Sequence, residues 1–229
     1  MSTSRIAPFG YSENQMADAF LELLQSPEGL PSIGPFNGVY REVSCHQGRP
    51  DFIAIRNKEG GQQVRLSESA GLVGPSILTI LKPKAPRTLD YLVTHSEFSQ
   101  DSIKRALRQF IASGHVEGTQ TGSYRLGSAA TQPQVELWSF ELKLNNPKRA
   151  IFQAQQSRAY ADRAIIVVPV GQERNYDRYI ETMKRWSIGL ATFDPISSKF
   201  RLLRRGRVSL AFNRQHKIYA LSQLLSVSH

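Results

Sequence analysis

The chain has 229 residues, 40% of them hydrophobic, which is enough for a packed core in one large domain or two small ones and argues against global disorder. No apolar run reaches the length of a membrane span and no signal-type segment follows the first residues. The single cysteine, Cys45, excludes an internal disulfide and a cysteine-rich zinc site, so a soluble, cytoplasmic protein with no membrane partner is expected. The net charge is +10, and residues 131–229 hold 16 basic side chains against 7 acidic, a balance that points to nucleic acid as the partner.

In chain order, the spacing predicts a first helix over 12–25. Ser12 and Gln15 stand at capping-box separation, and Met16, Phe20, Leu23 and Leu24 recur at helical intervals. Two strands follow, 39–44 and 49–56, with Gly48 between them as in a hairpin and Pro50 at the start of the second, where proline is tolerated. Alternation puts Asp51, Ile53 and Ile55 on one face of that strand and Phe52 and Ala54 on the other. Residues 57–70 and 127–134 are rich in small and polar side chains and read as linkers. They bound an inserted module, 71–130, between a first core part, 1–70, and a second, 131–229.

Within that module, short helical pieces are expected at 78–81 and 89–93. A longer helix begins at Ser99, a good N-cap. Ile103, Ala106, Leu107, Phe110 and Ile111 form its apolar side, Lys104, Arg105 and Arg108 lie off it, and Gly114 ends it. Strands at 115–119 and 123–126 flank the turn Gln120-Thr121-Gly122. The stretch from Phe98 to Leu107, together with Gly114-His-Val-Glu and Tyr124-Arg-Leu, resembles the winged helix-turn-helix family. In that family the capped helix enters the major groove of double-stranded DNA. The resemblance implies DNA contacts from Ser99, Gln100, Ser102, Lys104, Arg105 and Arg108. A small helical unit that binds only protein is the alternative.

Past the second linker, 135–144 alternates as a strand. Pro147 opens a helix running to about residue 161, and 164–170 is a continuous apolar run of the kind buried on both faces. A helix over 176–186, strands at 189–193 and within 196–204, and a C-terminal helix over 215–225 complete the reading. With the module set aside, the order gives an α/β layer fold on a mixed sheet.

Glu141 and Lys143 share a face of their strand. If Asp51 pairs onto that face, two carboxylates and an ammonium meet, and a divalent cation with hard oxygen ligands would relieve the repulsion. Pro50-Asp51 before Phe-Ile-Ala-Ile, with Glu141-Leu-Lys143 after Val-Glu-Leu-Trp-Ser-Phe, resembles the PD-(D/E)xK nuclease superfamily, whose restriction-endonuclease-like core has this element order. The resemblance implies that Asp51, Glu141 and the carbonyl of Leu142 hold Mg2+ or Mn2+, and that Lys143 orients the attacking water and steadies charge at the phosphate. An acidic residue on the first helix would be Glu13, which lies on the side of Met16, Phe20 and Leu24, whereas Glu22 points away; capping its own helix is the rival role for Glu13. Glu42 is a weaker substitute. Gln153, Gln156 and Tyr160 share a helix face, and Gln156 with Tyr160 resembles a Gln-x-x-x-Tyr signature of some branches of the superfamily; local packing is the competing account. Lys148 and Arg149 stand near a helix N-terminus that attracts phosphate.

No paired histidine spacing suggests zinc, no Gly-rich phosphate loop suggests a nucleotide cofactor, and no serine sits in a nucleophile elbow. The expected protein is a Mg2+-dependent DNA endonuclease in a restriction or defence role, dimeric so that both strands are cut. A non-cutting DNA-binding regulator and a nuclease subunit of a larger complex remain open alternatives.

Overall fold

A computed structural model describes residues 10–57, 71–130, 135–207 and 211–227. Most of the first expected linker, and residues 131–134 of the second, lie outside the described residues. The chain divides into two compact units, one made of Met1–Lys58 and Val135–Phe212, the other of Glu59–Gln134 and Asn213–His229.

The first unit opens with helix α1 (Glu13–Gln25). Its capping box is complete: Gln15 N donates to Ser12 Oγ at 3.2 Å, and Ser12 N donates to Gln15 Oε1 at 2.7 Å. Strand β1 (Gly38–Arg41) is shorter than the expected 39–44, because Glu42 takes a left-handed φ of 52° that turns the chain out of the ladder. Strand β2 (Phe52–Asn57) correspondingly starts after Asp51 instead of at residue 49, and Glu42 N donates to Asp51 O at 3.0 Å where the pairing ends. Pro50, with no N–H to give, therefore sits in the connecting loop.

Further along this unit come β5 (Val135–Leu142), α5 (Pro147–Ser157), β6 (Arg163–Val168), a 3-10 helix (Glu173–Tyr179), α6 (Ile180–Arg185), β7 (Ile188–Asp194) and β8 (Lys199–Arg204). The expected helix over 176–186 is thus split into a 3-10 and an α segment. Helix α5 stops four residues short of 161, as tight backbone bonds from Ala159 N to Gln156 O and from Tyr160 N to Ser157 O take over. The six strands form one mixed sheet in the order β1-β2-β5-β6-β7-β8, with β5, β6 and β7 parallel and the remaining pairs antiparallel. This unit is α/β, a mixed six-stranded sheet flanked by helices.

Alternation along the strands sorts the core into two layers. Met16, Phe20 and Leu24 of α1 pack on Phe52, Phe140, Leu142, Ile165, Val167, Phe193 and Phe200. On the other face Ala150, Ile151 and Ala154 of α5, with Tyr176 and Met183, cover Ala164, Ile166, Val168, Ile188 and Leu190. Phe20 is fully buried, with its ring 5.2 to 6.1 Å from those of Phe52, Phe140, Phe193 and Phe200. Aromatic burial of this kind is worth about 2 kcal/mol per ring by area transfer, and it fixes α1 over the centre of the sheet.

The second unit contains α2 (Val73–Ile80), α3 (Leu89–Ser96), α4 (Gln100–Ala112), the hairpin β3 (Val116–Gly118) with β4 (Tyr124–Leu126), and α7 (Arg214–Val227). Its core joins Ile77, Leu81, Leu92, Ile103, Leu107, Phe110, Val116 and Ile218. The last helix therefore departs from the expected division, which left all of 131–229 with the sheet. Ile218 buries its side chain in the helical unit, and Gln215 Nε2 donates to Leu72 O at 3.3 Å. The cap at Ser99 is as expected, with Ser102 N donating to its hydroxyl at 3.3 Å, and Gly114 follows the helix with a φ of 74°.

Candidate active site

The antiparallel register pairs Phe52 with Phe140, so the next position outward sets Asp51 beside Glu141 on the opposite face from those two rings. Leu142 N donates to Asp51 Oδ2 at 2.6 Å, which ties the acid at the start of β2 to the end of β5. Lys143 follows β5, and its Nζ lies 3.0 Å from Glu141 Oε1, 3.2 Å from Glu13 Oε1 and 3.6 Å from Asp51 Oδ2. It also donates to Leu142 O at 2.8 Å. Residues spread from 13 to 143 thus converge on one ammonium group.

The electrostatics of the cluster are set by burial. Glu141 is 2% exposed, and the one polar side chain that meets its carboxylate among the described residues is Lys143, in an ion pair at 3.0 Å. Burial first, and the Asp51 charge second, push the Glu141 carboxyl up to about 7, against the pull of Lys143. Burial also raises Asp51, in spite of the nearby ammonium and the Leu142 N–H. Burial alone would lower Lys143, but the charges of Glu141 and then Asp51 prevail and hold it above its ordinary value. With every group ionised the cluster has three negative charges against one positive, an imbalance that favours a further cation.

The oxygen donors of Asp51, Glu141 and the Leu142 carbonyl are of the hard type that suits Mg2+ or Mn2+, and the two on Glu141 are buried, with Lys143 as the one polar side chain that meets them among the described residues. The donor chemistry therefore fits a divalent ion. Among the described residues no group of three or more His, Cys, Asp or Glu side chains is spaced to hold a metal ion, and the Lys143 ammonium stands at the focus of these oxygens.

Glu13 is part of this cluster, whereas the other acids considered are elsewhere. Glu22 is exposed, and Glu42 pairs with Arg49 at 2.7 Å. Gln156 packs beside Gly48, where a Cβ would stand 3.6 Å from its Oε1. Tyr160 is not on α5 but in the turn beyond it, fully buried, with its hydroxyl 3.1 Å from Ser157 Oγ; that contact supports the local-packing account. Gln153 Oε1 is buried with no hydrogen-bonding partner among the described residues. Lys148 and Arg149 are exposed in the first turn of α5, which Asn146 caps. Tyr176 is a neighbour that the sequence did not single out. Its hydroxyl is buried without a hydrogen-bonding partner among the described residues, and its ionisation is pushed up by burial and then by the charges of Glu141 and Glu13. A tyrosine inside a short 3-10 helix gives no sequence signal of such a placement.

In the second unit, Gln100, Lys104, Arg105 and Arg108 are exposed along α4. A groove of about 550 Å³ is lined by Asp101, Lys104, Arg105, Leu107, Arg108, Ile111 and Tyr124. Ile111, expected on the apolar side, is 43% exposed and faces this groove. Ser99 and Ser102 direct their hydroxyls to each other at 2.9 Å, and Ser99 is further engaged as the cap. No helix among the described residues is long and apolar enough to cross a membrane. No family model, curated protein or solved structure matches the chain.

Proposed function

We propose that the chain is a divalent-metal-dependent deoxyribonuclease of the restriction-endonuclease-like kind, with a winged-helix module that binds double-stranded DNA. The observation that carries this reading is the meeting of Glu13, Asp51, Glu141 and Lys143, drawn together from three separate elements and a strand end. A structural ion pair needs one carboxylate per ammonium. Three around a single lysine, one of them only 2% exposed, is an arrangement suited to an additional cation and a polyanionic substrate.

In this reading Asp51, Glu141 and the Leu142 carbonyl hold Mg2+ or Mn2+. Bound there, the ion would supply Lewis-acid polarisation of a phosphoryl oxygen. Lys143 donates hydrogen bonds to the attacking water and to the non-bridging phosphate oxygens, where negative charge grows. Glu13 balances that ammonium from the side of α1 and keeps its chain in place. The exposed Lys104, Arg105 and Arg108 of α4 supply affinity for the DNA backbone and base edges, with Lys148 and Arg149 as further phosphate contacts. Cutting both strands calls for two such sites and hence a homodimer, and a defence role in the cytoplasm is the setting we assign.

The decisive experiment incubates the purified protein with plasmid DNA and Mg2+, beside Lys143→Ala and Asp51→Ala. Cleavage by the wild-type chain that is lost in both variants and in excess chelator is the expected result. Salt-sensitive binding with no cleavage at any metal concentration would overturn the enzyme reading and leave a DNA-binding regulator.

A further inference from the structure

Strand β8 is the edge of the sheet next to β7, and among the described residues its Lys199 and Arg201 are exposed on one face and Arg204 is half-buried there. Phe200 and Leu202 pack into the layer under α1, while no β8 residue belongs to the layer under α5 and α6. On that face the register pairs Lys199 with Asp194 and Arg201 with Thr192. Strict alternation would bring Leu203 next. The register shift between Leu190 and Ala191 inserts one residue, so that Arg204 is paired with Leu190 instead and joins the two other cations. The shift thus sets Arg204 in line with Lys199 and Arg201, while Leu203, at the irregularity, stays 38% exposed.

None of the three makes an ion pair among the described residues. The nearest acid by register, Asp194, has its oxygens taken by the Ser197 hydroxyl at 2.6 Å and the Ile196 amide at 3.1 Å. Lys199 and Arg201 stand roughly 7 Å apart along the strand. Because β5, β6 and β7 are parallel, Lys199, opposite the last residue of β7, lies at the same end of the strands as Lys143. Three strand spacings separate β5 from β8, about 14 Å. That is the rise of roughly four base pairs, so a duplex that crosses this end of the sheet and touches Lys199 passes within reach of the acid cluster.

We propose that Lys199, Arg201 and Arg204, gathered on one face of β8 by its bulge, form a track for the phosphate backbone of double-stranded DNA beside the acid cluster. The choice of DNA rests on the nuclease reading. The cations themselves recognise a regular polyanion, and each phosphate they neutralise releases a condensed counterion.

The test is fluorescence anisotropy of a labelled duplex of about 30 base pairs, titrated from 50 to 300 mM NaCl in EDTA. Working in chelator separates it from the nuclease reading, since binding is measured whether or not the chain cuts. The variant Lys199→Ser/Arg201→Ser/Arg204→Ser is expected to flatten the slope of log K against log salt by roughly 0.9 per phosphate left unneutralised, close to three in all, with at least a tenfold loss of affinity at physiological salt. Circular dichroism checks its fold; should the triple variant unfold, Arg201→Ser against Arg201→Lys gives the same reading, with a loss of roughly 0.9 for serine alone. A slope equal to that of the wild type overturns the proposal. So does an unchanged DNA slope accompanied by loss of polyglutamate binding, which would assign the face to an acidic protein.

Discussion

Leu142 N donates to Asp51 Oδ2 at 2.6 Å across 91 residues of sequence, so one carboxylate both fastens β5 at its end and contributes charge to the acid cluster. The two roles can be separated. Asp51→Asn keeps an acceptor for the amide and removes the charge, whereas Asp51→Ala removes both. The asparagine variant is expected to retain wild-type stability in urea and to lose cleavage by a factor on the order of 100 to 1,000. The alanine variant is expected to lose cleavage and also about 1–3 kcal/mol, because an amide near the sheet core is left unsatisfied. Full activity in Asp51→Asn would remove Asp51 from the chemistry.

Glu141 gives a sign-determined dependence of stability on pH. Its carboxyl is raised from 4.5 to about 7, so the folded chain binds a proton that the unfolded chain has released across that window. The stabilisation from this group is fully present below pH 4.5, is lost as pH rises to about 7, and does not change further above it. The fall is at most about 3 kcal/mol, and Glu141→Gln is expected to flatten it. Urea denaturation in EDTA between pH 4 and 8 measures this. Parallel curves for the variant and the wild type would count against the burial argument.

A divalent cation is expected to stabilise the sheet unit. At ten times its dissociation constant Mg2+ contributes about 1.4 kcal/mol, which raises the thermal midpoint by roughly 3–5 °C. Calorimetry with Mg2+ and with EDTA checks this in the wild type, Glu141→Gln and Asp51→Asn. The shift should vanish in both variants. A shift that persists in them would place the cation elsewhere.

Helix α4 presents Lys104, Arg105 and Arg108 to solvent, where they line a groove together with Tyr124. Replacing all three with alanine is expected to reduce duplex affinity at least tenfold at moderate salt and to reduce the salt slope by about 0.9 for each phosphate that these cations neutralise in the wild type. Ser102→Ala should change affinity little, since its hydroxyl is turned to Ser99. If affinity is unchanged in the triple variant, the helical unit binds something other than DNA.

The acid cluster was legible because charged residues inside apolar strands are costly and so stand out. Asp51 ahead of Phe-Ile-Ala-Ile and Glu141 after Val-Glu-Leu-Trp-Ser-Phe both interrupt buried alternation, and Glu13 sits on the apolar side of its helix. The helix starts at Ser12, Ser99 and Pro147 were legible for a local reason, since a cap or a proline in the first helical position depends only on neighbours within one turn. What depended on distant contacts was not. Nothing near Tyr176 announces that it lies by Glu141, and nothing near Arg158 announces a fully buried arginine whose guanidinium donates to Ala161 O and stacks on Phe212. The bulge in β8 was equally hidden, because register belongs to the pair of strands and not to either sequence alone.

The return of α7 to the helical unit has a consequence for the order in which the protein is made. By the time residue 212 has emerged from the ribosome, every strand of the mixed sheet has been synthesised, although the unit between its two sequence segments still lacks the wall that Ile218 provides. A nascent chain can therefore complete the sheet unit and gather its acid cluster before the helical unit has received the helix that closes its core.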